Sequence, residues 1–257
     1  DKDGTTNGPK RISNSDYYQR LVKGFQRTIL TGQKKIFEID LRLRPYGKAG
    51  SLAVSKETFE NYFNPDGPAW PFERQALVKL RPIAGDQQFC AEIVRSRDEF
   101  IYTGLQFDLS AMRAMREKQI RQFVEPGTFH AKLSPGGLVD CEYFIQGLQL
   151  TYAHLAEDLR APNTRGAMKA LEKHGVLSHD QRIKLRDAYR FLRRLIDGMR
   201  MVRGDATDLT IPHHESEQFH FLAKRLGINS ADLHAEIERQ TCCVIDAIAS
   251  FEELIQE

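Results

Sequence analysis

Ile36-Phe37-Glu38-Ile39-Asp40-Leu41-Arg42-Leu43-Arg44-Pro45-Tyr46-Gly47 alternates apolar and charged side chains from Phe37 to Arg44 without a break. Successive side chains of a strand point to opposite faces, so Phe37, Ile39, Leu41 and Leu43 are expected on a core face. Glu38, Asp40, Arg42 and Arg44 then share the other. Neighbours on one face stand about 6–7 Å apart. A carboxylate flanked by two guanidinium groups suits a place where a divalent metal meets phosphates, because carboxylate oxygen holds Mg2+ and Arg grips phosphate oxygens as a fork. An exposed strand face laced with cross-strand ion pairs fits the same residues.

Upstream, the polar cluster Ser13-Asn14-Ser15-Asp16 caps a helix whose apolar positions are Tyr17, Leu21, Phe25 and Ile29, ending near Gly32. Residues 1–11 read as a loose loop or tail. Downstream, Leu52-Ala53-Val54 is expected as a second short strand paired with the first. Ser55 opens a helix to Phe63, and Asn64-Pro65-Asp66-Gly67-Pro68 is a turn. The remainder reads as helical over 71–81, 86–102 and 109–122, an extended piece over 129–133, a helix from Ser134-Pro135 to about His154, then helices over 164–174, 179–203, 214–226 and 230–256. Gly175, Gly204 and Gly227 stand where helices should stop. The fold class expected is therefore α+β and mainly helical, with a partial sheet in residues 1–108 and a helical bundle in 109–257.

Three blocks carry a resemblance. They are Asp40-Leu41-Arg42-Leu43-Arg44-Pro45-Tyr46-Gly47, the Trp70-Pro71-Phe72-Glu73-Arg74-Gln75-Ala76 stretch running on to Arg81, and Gly136-Gly137-Leu138-Val139-Asp140-Cys141-Glu142-Tyr143. In this order they resemble the nucleotidyltransferase module of the glutamine synthetase adenylyltransferase family, from about Ile12 onward. The resemblance implies a polymerase-β-like nucleotidyltransferase sheet followed by a helical domain. It also implies transfer of AMP from ATP to a tyrosine of glutamine synthetase, or removal of that AMP, in nitrogen regulation. ATP as substrate, Mg2+ as cofactor, and glutamine synthetase and a PII signal protein as partners come with it. Asp40 is then a catalytic and metal-binding carboxylate. That superfamily also uses a D-x-D unit after a Gly-Ser turn, which does not occur ahead of Asp40 here, since Asp1-Lys2-Asp3 has neither the turn nor a preceding apolar strand. The expectation is that this unit lies upstream of residue 1 and that the chain alone is inactive. The alternative reading is a non-catalytic module that binds glutamine synthetase or PII.

The third block has its own logic. Ser134-Pro135 fits an N-cap followed by proline at the first helical position. Gly136 and Gly137 let another backbone come close, and a helix start offers N–H groups and a positive dipole end to a phosphate, with Lys132 nearby. Asp140, in the first turn, is expected either as a metal ligand or simply as a carboxylate favoured by the dipole. Glu142 shares a polar flank with Gln146 and Gln149 that is expected to face the Asp40 strand across a cleft. The resemblance implies that this element borders the active site and that Glu142 is catalytic, the alternative being simple ion pairing. Arg74 and Arg81 either reach phosphate or lie on the solvated side of a packed helix.

Composition narrows the remaining choices. In 257 residues, 37 basic side chains stand against 35 acidic ones, so bulk charge does not drive nucleic-acid binding. No apolar run reaches the roughly 18 residues of a membrane span, and a cytoplasmic protein with no membrane partner is expected. Cys90, Cys141, Cys242 and Cys243 lack metal-ligand spacing and read as reduced thiols. Along 179–203, Ile183, Leu185, Ala188, Leu192, Leu195, Ile196 and Met199 form a core stripe with the arginines largely off it. His213-His214 lacks a third ligand at useful spacing and reads as a polar loop.

Overall fold

The computed structural model describes residues 4–31, 34–35, 39–105, 107–204 and 208–256. They form two compact units, Asp1–Thr103 and Gly104–Glu257.

The first unit opens with a loop that closes on itself. Thr6 N–H donates to Ile12 O at 2.9 Å and Asn14 N–H to Gly4 O at 2.8 Å, so residues 4–13 close into a hydrogen-bonded loop. Helix α1 (Asn14–Ile29) follows, its first turn capped where Ser13 Oγ accepts from Asp16 N–H at 3.0 Å. None of its residues is buried: Tyr17, Leu21 and Phe25 are about half exposed. The antiparallel strand pair is two residues long on each side, β1 (Leu30–Thr31) with β2 (Lys34–Lys35).

The expected sheet is not found among the described residues. Residues 36–38 lie outside them, and residues 39–44 run as irregular backbone and a bend. The cause is local: the Asp40 carboxylate accepts from the N–H of Arg42, two residues on, and such a side-chain bond offers the backbone an alternative to a ladder. Leu43, assigned to the core face, is about half exposed, and Leu52-Ala53-Val54 forms no strand. A tight turn then closes Gly47 N–H on Arg44 O at 2.8 Å, with Tyr46 in the left-handed region at φ 64°.

Helices α2 (Lys56–Phe63), α3 (Pro71–Ala76) and α4 (Gln87–Ile101) make this unit's core, with Tyr62, Phe63, Leu77, Val78 and Ile101 buried. Ser55 caps α2, accepting from Thr58 N–H at 3.1 Å. Glu73 ties α3 to α2, accepting from Trp70 N–H and from the Tyr62 hydroxyl.

The second unit is the helical bundle, made of α5 (Leu109–Phe123), α6 (Leu138–Tyr152), α7 (Thr164–Lys173), α8 (His179–Arg203), α9 (Glu217–Leu226) and α10 (Ser230–Gln256). Asp108, Asn163, Ser178 and Ser216 cap four of these with side-chain oxygens, and Gly204 and Gly227 end α8 and α9 in the left-handed conformation. The stripe on α8 is the core it was expected to be, with Leu185, Leu192, Leu195 and Met199 wholly buried. Each such side chain contributes about 1.5–3 kcal/mol by leaving water. α6 buries nine of its fifteen residues, among them Leu138, Val139, Cys141, Phe144, Ile145 and Leu148. All four cysteines are free thiols, and no helix among the described residues is long and apolar enough to cross a membrane.

Candidate functional site

The residues singled out by sequence fall into separate groups. Asp40, Arg42 and Arg44 belong to the first unit; Lys132, Gly136, Gly137, Asp140 and Glu142 belong to the second.

In the first group the carboxylate and the nearer arginine hold each other. Arg42 donates through Nε to Asp40 Oδ1 at 2.9 Å and through Nη2 to Oδ2 at 2.6 Å, a fork on a carboxylate. Arg44 instead clamps the following turn, donating to the carbonyls of Leu41, Lys48 and Gly50. The side-chain hydrogen bond from Arg42 comes first among the causes that lower the Asp40 pKa from 3.8 to about 2. A depressed carboxylate stabilises the fold above its ordinary pKa and loses that contribution as pH falls through the folded value. The pair therefore acts above about pH 4 and fades toward pH 2, and as an exposed pair it is worth no more than about 1 kcal/mol. A carbon-detected NMR titration should give an Asp40 midpoint near 2, and Arg42→Ala should return it toward 3.8. An unmoved midpoint would show that another group sets it.

Beside this run lies a groove of about 430 Å³ with Phe59, Phe63, Leu77 and Leu80 as an apolar wall and Arg44, Lys79 and Arg81 as cationic residues along it. The Phe59 and Phe63 rings pack 5.0 Å apart. Arg74 is not part of it: Nη2 donates to the carbonyls of Asn64, Pro65 and Gly67 and closes the turn between α2 and α3. Sequence reasoning missed the groove because its lining comes from four stretches that meet only through packing.

In the second unit the loop before α6 is held from within. The helix starts at Leu138 with Gly137 as N-cap, so Ser134-Pro135 does not open it. Ser134 Oγ instead accepts from the N–H of His130 at 2.8 Å. The N–H groups expected to meet a phosphate are taken by the preceding loop: Leu138 donates to Ala131 O and Val139 to Lys132 O. Gly136 has φ +72°, and a Cβ there would stand 2.5 Å from Thr241 O, so the close backbone approach expected of the glycine pair is made by α10. His130 is buried, its pKa lowered mainly by desolvation, and its Nδ1 accepts from the N–H groups of Lys132 and Leu133.

Asp140 sits at the centre of this arrangement. Its Oδ1 accepts from Arg116 Nε at 2.6 Å and its Oδ2 from Gly136 N–H at 2.8 Å. Arg116, 4% exposed, also donates to Leu133 O and Gln119 Oε1. A carboxylate with both oxygens on cationic and amide donors is neutralised already and does not fit a Mg2+ ligand. Glu142 accepts from the Tyr189 hydroxyl on α8 at 3.4 Å. Burial first, and the Glu142 charge second, raise the Tyr189 pKa. Gln146 and Gln149, expected to share an open polar flank with Glu142, are buried, and Gln149 Nε2 donates to Leu159 O and Ala161 O.

Comparisons with known proteins divide the chain at nearly the same place as its structure. Residues 1–96 match the family model described as Glutamate-ammonia ligase adenylyltransferase, and residues 110–255 match that described as GlnD PII-uridylyltransferase. Similar curated proteins are named bifunctional glutamine synthetase adenylyltransferase/adenylyl-removing enzyme. That of Hahella chejuensis is 32% identical over 200 residues, 74% of this chain and 20% of the relative. The one from Xanthomonas campestris pv. campestris is 30% identical over 259 residues, covering 98% and 27%. The one from Aromatoleum aromaticum is 34% identical over 200 residues, covering 76% and 21%. The chain thus spans about a quarter or less of the length of these relatives.

Proposed function

This chain belongs to the glutamine synthetase adenylyltransferase family, and from that premise we propose that it is a module of a cytoplasmic nucleotidyltransferase acting on a tyrosine of glutamine synthetase. In the forward direction the tyrosine oxygen forms a bond to the α-phosphorus of ATP, the bond to the β-phosphate bridge breaks, and pyrophosphate leaves. In the reverse direction phosphate attacks and AMP is released from the tyrosine as ADP.

The observation that carries this reading is the groove beside the Asp40–Arg44 run. Its phenylalanine and leucine wall suits a purine ring, and the charges of Lys79 and Arg81 suit a polyphosphate. Arg44 shapes the groove through its bonds to the turn, and Asp40 orients the Arg42 guanidinium. The family implies Mg2+, which would neutralise charge on the phosphates. Neither Asp140 nor Asp40 fits that ion: Asp140 is held by Arg116 and Gly136, and both Asp40 oxygens are engaged by Arg42.

The test is calorimetric titration of the 257-residue chain with ATP. Binding should occur, and Arg81→Ala and Lys79→Ala should each weaken it about tenfold, the worth of a charge-assisted contact. No binding, or binding indifferent to both variants, overturns the catalytic reading. A second reading, that the helical unit binds PII or glutamine synthetase without catalysis, is favoured by the match of residues 110–255 to a PII-uridylyltransferase model. It predicts retention of the chain on immobilised PII or glutamine synthetase with no dependence on the groove residues.

A further inference from the structure

We propose that His213, His214 and Glu215 form a surface site for a divalent transition-metal ion of the zinc and nickel class. Spacing alone supplied two imidazoles and no third ligand, because three consecutive residues do not ordinarily converge. Here they do: one ligand atom from each lies within 4.8 Å of the others. The two rings stand 4.3 Å apart between centroids, and the Glu215 carboxylate reaches toward both, with Oε2 4.0 Å from His213 Nδ1 and Oε1 3.8 Å from His214 Nε2.

Metal–nitrogen and metal–oxygen bonds of about 2.1 Å place tetrahedral ligand pairs about 3.4 Å apart, so the widest separation must close by roughly 1.4 Å. Small rotations of exposed side chains supply that movement. The three side chains are between 64% and 78% exposed, so an ion enters without crossing protein and keeps water in its remaining positions.

The backbone beneath them is held at both ends. Ile211 N–H donates to Phe129 O at 2.8 Å, and Pro212 restricts the next φ. On the other side Ser216 donates to His213 O through both N–H and Oγ, while its Oγ caps α9 by accepting from Phe219 N–H. Rotation about the side-chain bonds is thus the main freedom left to lose on binding. Two imidazoles with one carboxylate match the borderline softness of Zn2+ and Ni2+ rather than the all-oxygen preference of Mg2+ or Ca2+. The site is independent of the nucleotide groove and of the activity proposed above.

The experiment is titration of the full 257-residue chain with Ni2+, followed by amide NMR, where the paramagnetic ion broadens nearby signals. Saturation at one equivalent is expected, with residues 211–217 affected first. His213→Ala and His214→Ala should each weaken binding at least tenfold and Glu215→Gln severalfold, with circular dichroism unchanged. Broadening that starts at Cys242 and Cys243 instead, no saturable binding below millimolar Ni2+, or variants that bind as tightly as the original chain would each overturn the proposal.

Discussion

Asp140→Ala is expected to destabilise the helical unit by about 3–5 kcal/mol, the cost of leaving a buried cation without its partner. The variant strands Arg116, 4% exposed, and at the same time removes the acceptor for Gly136 N–H. For a unit of this size the loss lowers the thermal midpoint by on the order of 10 °C. Asp140→Asn keeps an acceptor for the amide and loses the charge, so it should fall between the two. The measurement is a urea or thermal melt of each variant. A carboxylate whose only task was to hold a metal would leave both melts unchanged when no metal is added.

Gly136→Ala is expected to cost about 3 kcal/mol, from two sources that a second variant separates. An L side chain at φ +72° is strained by about 1–2 kcal/mol, and its Cβ would stand 2.5 Å from the carbonyl oxygen of Thr241, so α10 must shift. Gly127 has φ +77° with nothing within 4 Å of a built Cβ, so Gly127→Ala should show the strain alone, about 1 kcal/mol. Equal losses at the two positions would mean that the contact with Thr241 is not a constraint. A phosphate-binding role for Gly136 would instead leave stability largely intact and act on nucleotide affinity.

The helices were legible because their signals are local. The α8 stripe, the caps at Ser13 and Ser55, and the glycines after α8 and α9 all lie within a turn or two of what they specify. The resemblance rested on three blocks in order, which is also a property of the linear chain.

The Asp40 run shows the limit of such reasoning. Alternation from Phe37 to Arg44 is compatible with a strand, but a strand exists only if a neighbouring segment pairs with it, and periodicity does not supply the partner. Over residues 39–44 the Asp40 carboxylate and the Arg44 guanidinium bind main-chain groups of their own loop instead. The helical segments and the family could be read from the linear chain, because propensity and capping act over a few residues and motif order is a property of the chain itself. It took packing between distant segments to bring Asp140 onto Arg116, the backbone of α10 against Gly136, Gln149 inward, and Phe59, Leu80 and Arg81 into one groove. Those facts depend on groups distant in the chain coming within a few ångströms, where the burial of charge and the exclusion of Cβ atoms set which contacts persist.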